Sequence, residues 1–347
     1  MQPDRTTLSQ SQLEAALSAA NDVDASPEER AEMLMEIAMG LQQRPKDAQQ
    51  LHDAVQLYER ALAVAPEGAP LLRARICARK GTALQALPDG GTRSLEQAQD
   101  HFVAAIPVLQ AHGRPEEVAE VELNLGLVTQ ALTGLGRGRI TDAISAYHRS
   151  LRTFNRGQYP QEYAVLHNNL AICYLQMPAT DERGRMREAL AVQSFEEVLK
   201  VINLIDHPSE YAMIQNNLGN ALQYVSSSHV LENNLRALAA YDEALRVRNP
   251  RDTPLEYANT IANKSNVLRG LVPEAAGASA SGKSGTDSGP GDPLNSFLAD
   301  PLSEALALVR EAQALFELHG DPHKAAMMQD TAIELAAELA HRRASKD

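Results

Sequence analysis

A proline that can open a helix recurs along this chain about every 45 residues. Each proline is followed four positions later by alanine, in the pairs Pro27/Ala31, Pro70/Ala74, Pro115/Ala119, Pro160/Ala164, Pro208/Ala212, Pro254/Ala258 and Pro322/Ala326. Proline suits the first position of a helix, because the N–H that it lacks would have no intrahelical partner there. Seven starts in one phase predict a tandem helical repeat, and no other feature limits the possible folds as strongly.

A second pattern, A-x-x-x-[YF]-x-x-[small]-[LI], lies between successive prolines and occupies one face of a helix. Its copies are Ala54–Leu62, Ala98–Ile106, Ala143–Leu151, Ala191–Leu199 (with Val198 in the small position) and Ala237–Leu245, and a weaker copy at Ala305–Ala312 lacks the aromatic residue. From its first alanine to the next proline there are 16 residues once and 17 residues five times, whereas the reverse distance varies from 27 to 51. One connection is constant and the other accepts insertions, which is typical of stacked helix pairs.

These spacings predict an all-α fold, a superhelical solenoid of about six antiparallel helix pairs and a closing helix in one continuous array. First helices are expected to start near 27, 70, 115, 160, 208 and 254. Second helices are expected near 46–64, 93–110, 139–155, 185–203, 232–248 and 300–318, and the closing helix at 322–342. The predicted domains are a leader at 1–26 with a short helix near 8–20, repeats at 27–271, a flexible Gly/Ser/Ala-rich loop at 272–299, and the last repeat helix with a capping helix at 300–347.

The first helices of the middle repeats contain related motifs. They are N-L-G-L at Asn124–Leu127, N-N-L-A at Asn168–Ala171 and N-N-L-G-N-A-L at Asn216–Leu222. With the A-x-x-x-Y-x-x-A-L pattern that follows, the chain resembles the tetratricopeptide repeat (TPR), in a long-period variety common in bacterial proteins. The resemblance covers roughly residues 27–340 and is strongest at 115–268. The usual TPR period is about 34 residues, and the motif glycine is replaced by Ala171 and Ser265 here. HEAT-type repeats, which have the longer period but lack these motifs, are the alternative.

Asparagine recurs in the middle of these first helices, where it is a mediocre helix former and therefore needs a tertiary reason. In the resembled family the first helices line a concave groove, and an amide side chain there can bind the main chain of an extended peptide. For the asparagines in phase, Asn124, Asn169, Asn217 and Asn263, a hydrogen bond to a neighbouring helix is the alternative. The candidate groove residues are Asn168, Asn169, Asn216, Asn217, Asn220, Gln223, Asn259, Asn263 and Asn266.

Arginines cluster in two variable loops. They are Arg137, Arg139, Arg183, Arg185 and Arg187. This set forms either a docking edge for an acidic partner or a solvated loop edge. Arg75, Arg79 and Lys80 lie in the second repeat without the asparagines of the family's peptide-carboxylate clamp. The acidic C-termini of general chaperones are therefore not the expected partners.

The segment Gly277–Ser284 matches the phosphate-loop pattern G-x-x-x-x-G-K-[ST]. That loop requires a preceding strand and a following helix, but the flanking residues are rich in Gly, Ser and Pro. No nucleotide or other cofactor is predicted, and saturable ATP binding that Lys283→Ala abolishes would contradict this. No metal or catalytic constellation is recognised either, since Gly320–Pro322 separates His319 from His323.

A formal net charge of -13 disfavours partners such as nucleic acid or an anionic membrane, which need a basic face. The residues Met1–Gln12 lack a basic segment followed by an apolar run, and no stretch is long enough to span a bilayer, so we expect a cytoplasmic protein. The function predicted is a non-catalytic scaffold or adaptor that binds a partner protein. The alternatives are an assembly or maturation chaperone for a client enzyme and, remotely, a nucleotide-dependent switch using residues 277–284. The oligomeric state is left open.

Overall fold

The computed structural model describes residues 25–43, 45–177, 182–225, 229–271 and 300–344. Within these ranges the regular structure consists of thirteen α-helices, without a strand. They are α1 (Pro27–Gln43), α2 (Ala48–Val64), α3 (Pro70–Gln85), α4 (Gly91–His112), α5 (Pro115–Gly134), α6 (Ile140–Ser150), α7 (Pro160–Gln176), α8 (Glu182–Leu199), α9 (Pro208–Tyr224), α10 (Val230–Leu245), α11 (Pro254–Gly270), α12 (Pro301–Leu318) and α13 (Pro322–Ala344). The predicted all-α class with TPR-like helix pairs is confirmed.

Every proline of the repeat is the first residue of a helix, as predicted. The second helices α6, α8 and α10 end at Ser150, Leu199 and Leu245, earlier than the predicted 155, 203 and 248. The predicted leader helix near 8–20 and the loop at 272–299 lie outside the described residues.

The chain divides into two compact units, Met1–Gln176 and Met177–Asp347. In the first unit, successive helices from α1 to α7 pack against each other, and the first helices α1, α3, α5 and α7 also contact in sequence order. In the second unit, α8 packs on α9, α9 on α10, α10 on α11, α11 on α12 and α12 on α13, and the first helices α9 and α11 touch. In each unit the first helices therefore form a shared face.

Aromatic rings on the second helices pack against glycines on the first helices. A Cβ atom added to Gly81 would lie 2.7 Å from Cε1 of Phe102, and one added to Gly219 would lie 2.6 Å from Cε1 of Tyr241. The same atom on Gly126 would collide with the ring of Tyr147. All three rings are fully buried. The motif glycine is therefore present because only a residue without a side chain lets the paired helices approach this closely.

A recurrent asparagine turn is present in three of the connections between a second helix and the next first helix. Asn155 accepts hydrogen bonds through Oδ1 from the backbone N–H groups of Gly157 and Gln158, both at 3.1 Å. Asn203 and Asn249 make the same pair of bonds to the backbone two and three positions ahead. This side-chain-to-backbone turn competes with the helix. It follows the ends of α6, α8 and α10, whereas the connections from α4 to α5 and from α12 to α13 keep the same spacing without an asparagine.

Candidate functional site

Two of the predicted groove asparagines meet on the face of α9 and α11 in the second unit. Nδ2 of Asn263 donates a hydrogen bond to Oδ1 of Asn216 at 3.3 Å. Asn216 is only 9% exposed, whereas Met213, one turn before it, is 41% exposed. Asn266 lies one turn beyond Asn263 and is exposed. The two helices thus present amide groups next to each other along one face.

Two other predicted groove residues in this unit bind an aromatic residue of the paired helix. The Tyr241 hydroxyl donates to Oδ1 of Asn220 at 2.7 Å and accepts from the amide of Gln223. Gln223 occupies the repeat position at which Gln42 and Gln130 accept hydrogen bonds from Tyr58 and Tyr147, both at 2.8 Å. The polar groups of Asn220 and Gln223 therefore join α9 to α10, a role that their groove assignment did not anticipate.

The remaining asparagines have different surroundings. The amides of Asn169 and Asn259 donate to the backbone carbonyls of Val165 and Leu255 in their own helices, at 2.9 and 2.7 Å. Asn217 is half-buried. In the first unit, Oδ1 of Asn168 is buried and has no hydrogen-bond partner among the described residues. Of the in-phase set, Asn263 makes the hydrogen bond to a neighbouring helix that was the alternative interpretation.

The predicted arginine edge is divided between the two units. In the first unit, Arg137 pairs with Glu96 at 3.2 Å and Arg139 pairs with Asp142 at 2.9 Å. In the second unit, Arg185 lies 3.7 Å from Glu182. Arg183 is exposed and Arg187 is half-buried. These three pairs are exposed ion pairs of the kind that contribute little to stability.

The first unit contains a cavity that the sequence interpretation missed. It has a volume of about 150 Å³ and is lined by residues of the first helices α1, α3 and α5, among them Met35, Met39, Ala78 and Val121, and by Leu109 of the second helix α4. The signal that could have revealed it is the spacing of one helical turn in Met35/Met39, Arg75/Arg79 and Glu117/Glu120, on three successive first helices.

Ion pairs between α3 and α5 border this cavity. The Arg75 guanidinium binds both carboxylate oxygens of Glu117, at 2.7 and 3.2 Å, and Nη1 of Arg79 lies 2.8 Å from Oε1 of Glu120. The hydrogen bond from Arg75 lowers the pKa of Glu117, because it stabilises the carboxylate. Lys80, which follows Arg79 on α3, pairs with Glu59 of α2 at 3.0 Å.

The described residues contain no group of three or more His, Cys, Asp or Glu side chains that could hold a metal ion. Burial raises the pKa of Cys173 to about 12, so this thiol is a poor source of thiolate. The phosphate-loop match at Gly277–Ser284 lies outside the described residues. Among the helices that the structure describes, none is long and apolar enough to cross a bilayer.

No family model matches the sequence, and no curated protein matches it. The structure is similar to that of a Rap protein complexed with competence and sporulation factor, with 10% sequence identity over 98% of this chain and 89% of that chain and a TM-score of 0.38. It is also similar to a circular tandem repeat protein with a novel repeat topology (16% identity, 97% and 77% covered, TM-score 0.29). A third similar structure is the human IFIT1 dimer with PPP-AAAA (13% identity, 96% and 78% covered, TM-score 0.30). Scores and identities this low transfer no function.

Proposed function

We propose, from its construction of TPR-type helix pairs, that this chain is a non-catalytic scaffold or adaptor that binds a segment of a partner protein on the face of its first helices. The observation that carries the proposal is the row of amides on two successive first helices, in which Asn216 contacts Asn263 and the exposed Asn266 lies one turn beyond. Each amide has two N–H donors and a carbonyl oxygen with two lone pairs. One bond between them uses a small part of that capacity, and the rest suits the main chain of an extended segment.

The side chains on this face suggest which contacts would supply affinity and which would supply selectivity. Main-chain hydrogen bonds to Asn216 and Asn263 would tolerate many partner sequences, because every residue except proline offers the same donor and acceptor. The exposed Met213 offers an apolar contact at one end of the face, and the exposed Asn266 extends the amide row at the other. Methionine adapts its shape to different apolar groups, so it would add selectivity for an apolar residue without requiring one type.

Affinity capture from native lysate tests this proposal. The tagged protein is compared with Asn263→Ala/Asn266→Ala and with the control Gln193→Ala, which removes an exposed amide from the second helix α8. We expect a partner, identified by mass spectrometry, that the wild type and the control retain and the double variant loses. Matching thermal unfolding midpoints show that the three proteins are equally folded.

Equal capture by all three proteins would contradict the proposal and assign these asparagines to the architecture of the repeat. The arginine loops would then be the next surface to test. When a partner is found, its state separates an adaptor from a maturation chaperone. An adaptor retains the mature partner, whereas a chaperone retains only the unfinished form.

A further inference from the structure

We propose that the cavity between α1, α3 and α5 holds one large aliphatic or aromatic side chain of a partner segment, and that lysine or arginine flanks this side chain. The inference rests on the proposed function, because it assumes that a partner segment lies on the first-helix face. It adds a location in the first unit and a chemical class of partner.

The size and lining of the cavity favour a single apolar group. A cavity of roughly 150 Å³ is large enough for a group the size of benzene, and the volume here is about 150 Å³. Met35 and Met39 supply two flexible thioether side chains from α1, and Ala78 and Val121 supply smaller apolar groups. Methionine side chains adjust to leucine, methionine and phenylalanine alike.

The arginines at the cavity are already committed to carboxylates of the neighbouring repeat. Arg75 binds Glu117 through two hydrogen bonds, and Arg79 binds Glu120. A carboxylate of a partner would have to displace these charge-assisted bonds, which are among the stronger hydrogen bonds in proteins. The cavity is therefore unsuited to an acidic group despite its two guanidinium groups.

The remaining charge around the cavity is negative. Glu32 and Glu36 are exposed on α1, three positions before Met35 and Met39 and so on the same side of the helix. The hydrogen bond to Glu117 is the main cause of the raised pKa of Arg75, and the charge of Glu32 adds to it. Counting Arg114, which lies 3.6 Å from Glu117, three arginines (Arg75, Arg79 and Arg114) stand against four carboxylates (Glu32, Glu36, Glu117 and Glu120) in this region. This excess favours cations beside an apolar side chain that enters the cavity.

Selection from a phage-displayed library of random twelve-residue peptides tests the proposal. The targets are the full-length protein, Ala78→Leu, which fills the cavity, and Ala63→Leu, which makes the same change at an exposed position on α2. We expect the wild type and Ala63→Leu to enrich peptides with a large apolar residue next to lysine or arginine. The Ala78→Leu protein, if its unfolding midpoint matches that of the control, should not enrich them.

A synthetic peptide of the enriched sequence then locates the site. Binding should shift the NMR signals of the Met35 and Met39 methyl groups. Glu32→Gln/Glu36→Gln should weaken binding roughly twofold to tenfold at low salt, since each exposed charge contributes modestly. The difference should shrink as salt screens the charges.

Three results would each overturn the proposal: no enriched peptide, enriched peptides that lack an apolar residue beside a cation, or equal enrichment on Ala78→Leu. Affinity capture from lysate shows whether only the cavity proposal is wrong or the proposed scaffold function is wrong as well. If the captured partner is lost in Asn263→Ala/Asn266→Ala and retained by Ala78→Leu, the scaffold function stands and the cavity is not part of it.

Discussion

The second and third repeats have the same contact at their centres and differ there by one hydroxyl group. Phe102 packs against Gly81 in the second repeat, and Tyr147 packs against Gly126 in the third. The Tyr147 hydroxyl donates to Oε1 of Gln130 at 2.8 Å. Gln85 occupies the position of Gln130 in the second repeat, and its Oε1 is buried without a partner among the described residues. The fit of ring to glycine and the hydrogen bond to glutamine are therefore separable features of the repeat.

The other repeats support this separation. The first repeat pairs Tyr58 with Gln42, and the fifth pairs Tyr241 with Gln223. In the sequence of the fourth repeat the aromatic residue is Phe195, and leucine replaces the glutamine. The second repeat keeps the glutamine although its ring has no hydroxyl, so it contains a buried polar atom that the third repeat satisfies.

The largest effect should follow from closing the space under the ring. Gly126→Ala places a methyl group against the buried Tyr147 ring, and we expect it to lower the free energy of unfolding by about 2 to 3 kcal/mol. Gly40→Ala is the matched control, because its added Cβ meets nothing within 4 Å. The control should raise stability by about 0.5 to 1 kcal/mol through reduced backbone entropy. Urea unfolding measures both changes, and a loss in Gly40→Ala as large as that in Gly126→Ala would show that the ring is not the cause.

Removing the Tyr147 hydroxyl should leave the third repeat with a buried glutamine oxygen that lacks a donor, as in the second repeat. Tyr147→Phe leaves Oε1 of Gln130 without its donor, and we expect a loss of about 1 to 2 kcal/mol in the free energy of unfolding. Combining it with Gln130→Leu, which copies the fourth repeat, should restore part of this loss. A double-mutant cycle by urea unfolding gives the coupling energy, and additive losses would show that the two side chains do not act together.

Adding a hydroxyl group to the ring of the second repeat should raise the free energy of unfolding. Phe102→Tyr provides a donor for the buried Oε1 of Gln85, and we expect a gain of about 0.5 to 1.5 kcal/mol. The same substitution in a Gln85→Leu background should give no gain, because the acceptor is then absent. Destabilisation by Phe102→Tyr alone would mean that the space around the Phe102 ring is too small for the hydroxyl group.

The histidines next to these rings should produce the smallest effect. Burial lowers the pKa of His101 and of His148 from the ordinary 6.5, and Lys80 adds to the lowering at His101. As pH falls below 6.5 the unfolded chain binds these protons first, so the free energy of unfolding decreases with decreasing pH. His101→Gln/His148→Gln should flatten this dependence between about pH 7 and 5.5. Urea midpoints across this range provide the measurement, and an unchanged slope would assign the dependence to other groups.

The candidate site was predictable only in part. The asparagine pattern identified Asn216 and Asn263, which the structure brings together. The same pattern also selected Asn220 and Gln223, whose amides bind Tyr241 of the paired helix. Residue type and helical phase do not distinguish these cases, because an amide offers the same donors and acceptor to a partner and to a neighbouring hydroxyl. The partner of each amide depends on which helix packs beside it.

The sequence by itself determined the helix starts and the pairing of helices. Proline sets the backbone angle of a first helical residue, and an alanine and aromatic pattern of period 3.6 marks a buried face, both through local chemistry. Only the tertiary structure decided that Arg75 and Arg79 are neutralised by Glu117 and Glu120 and that a cavity lies between the first helices beside them. Such features depend on how side chains about 40 residues apart in sequence are brought together, and that follows from the packing of whole helices.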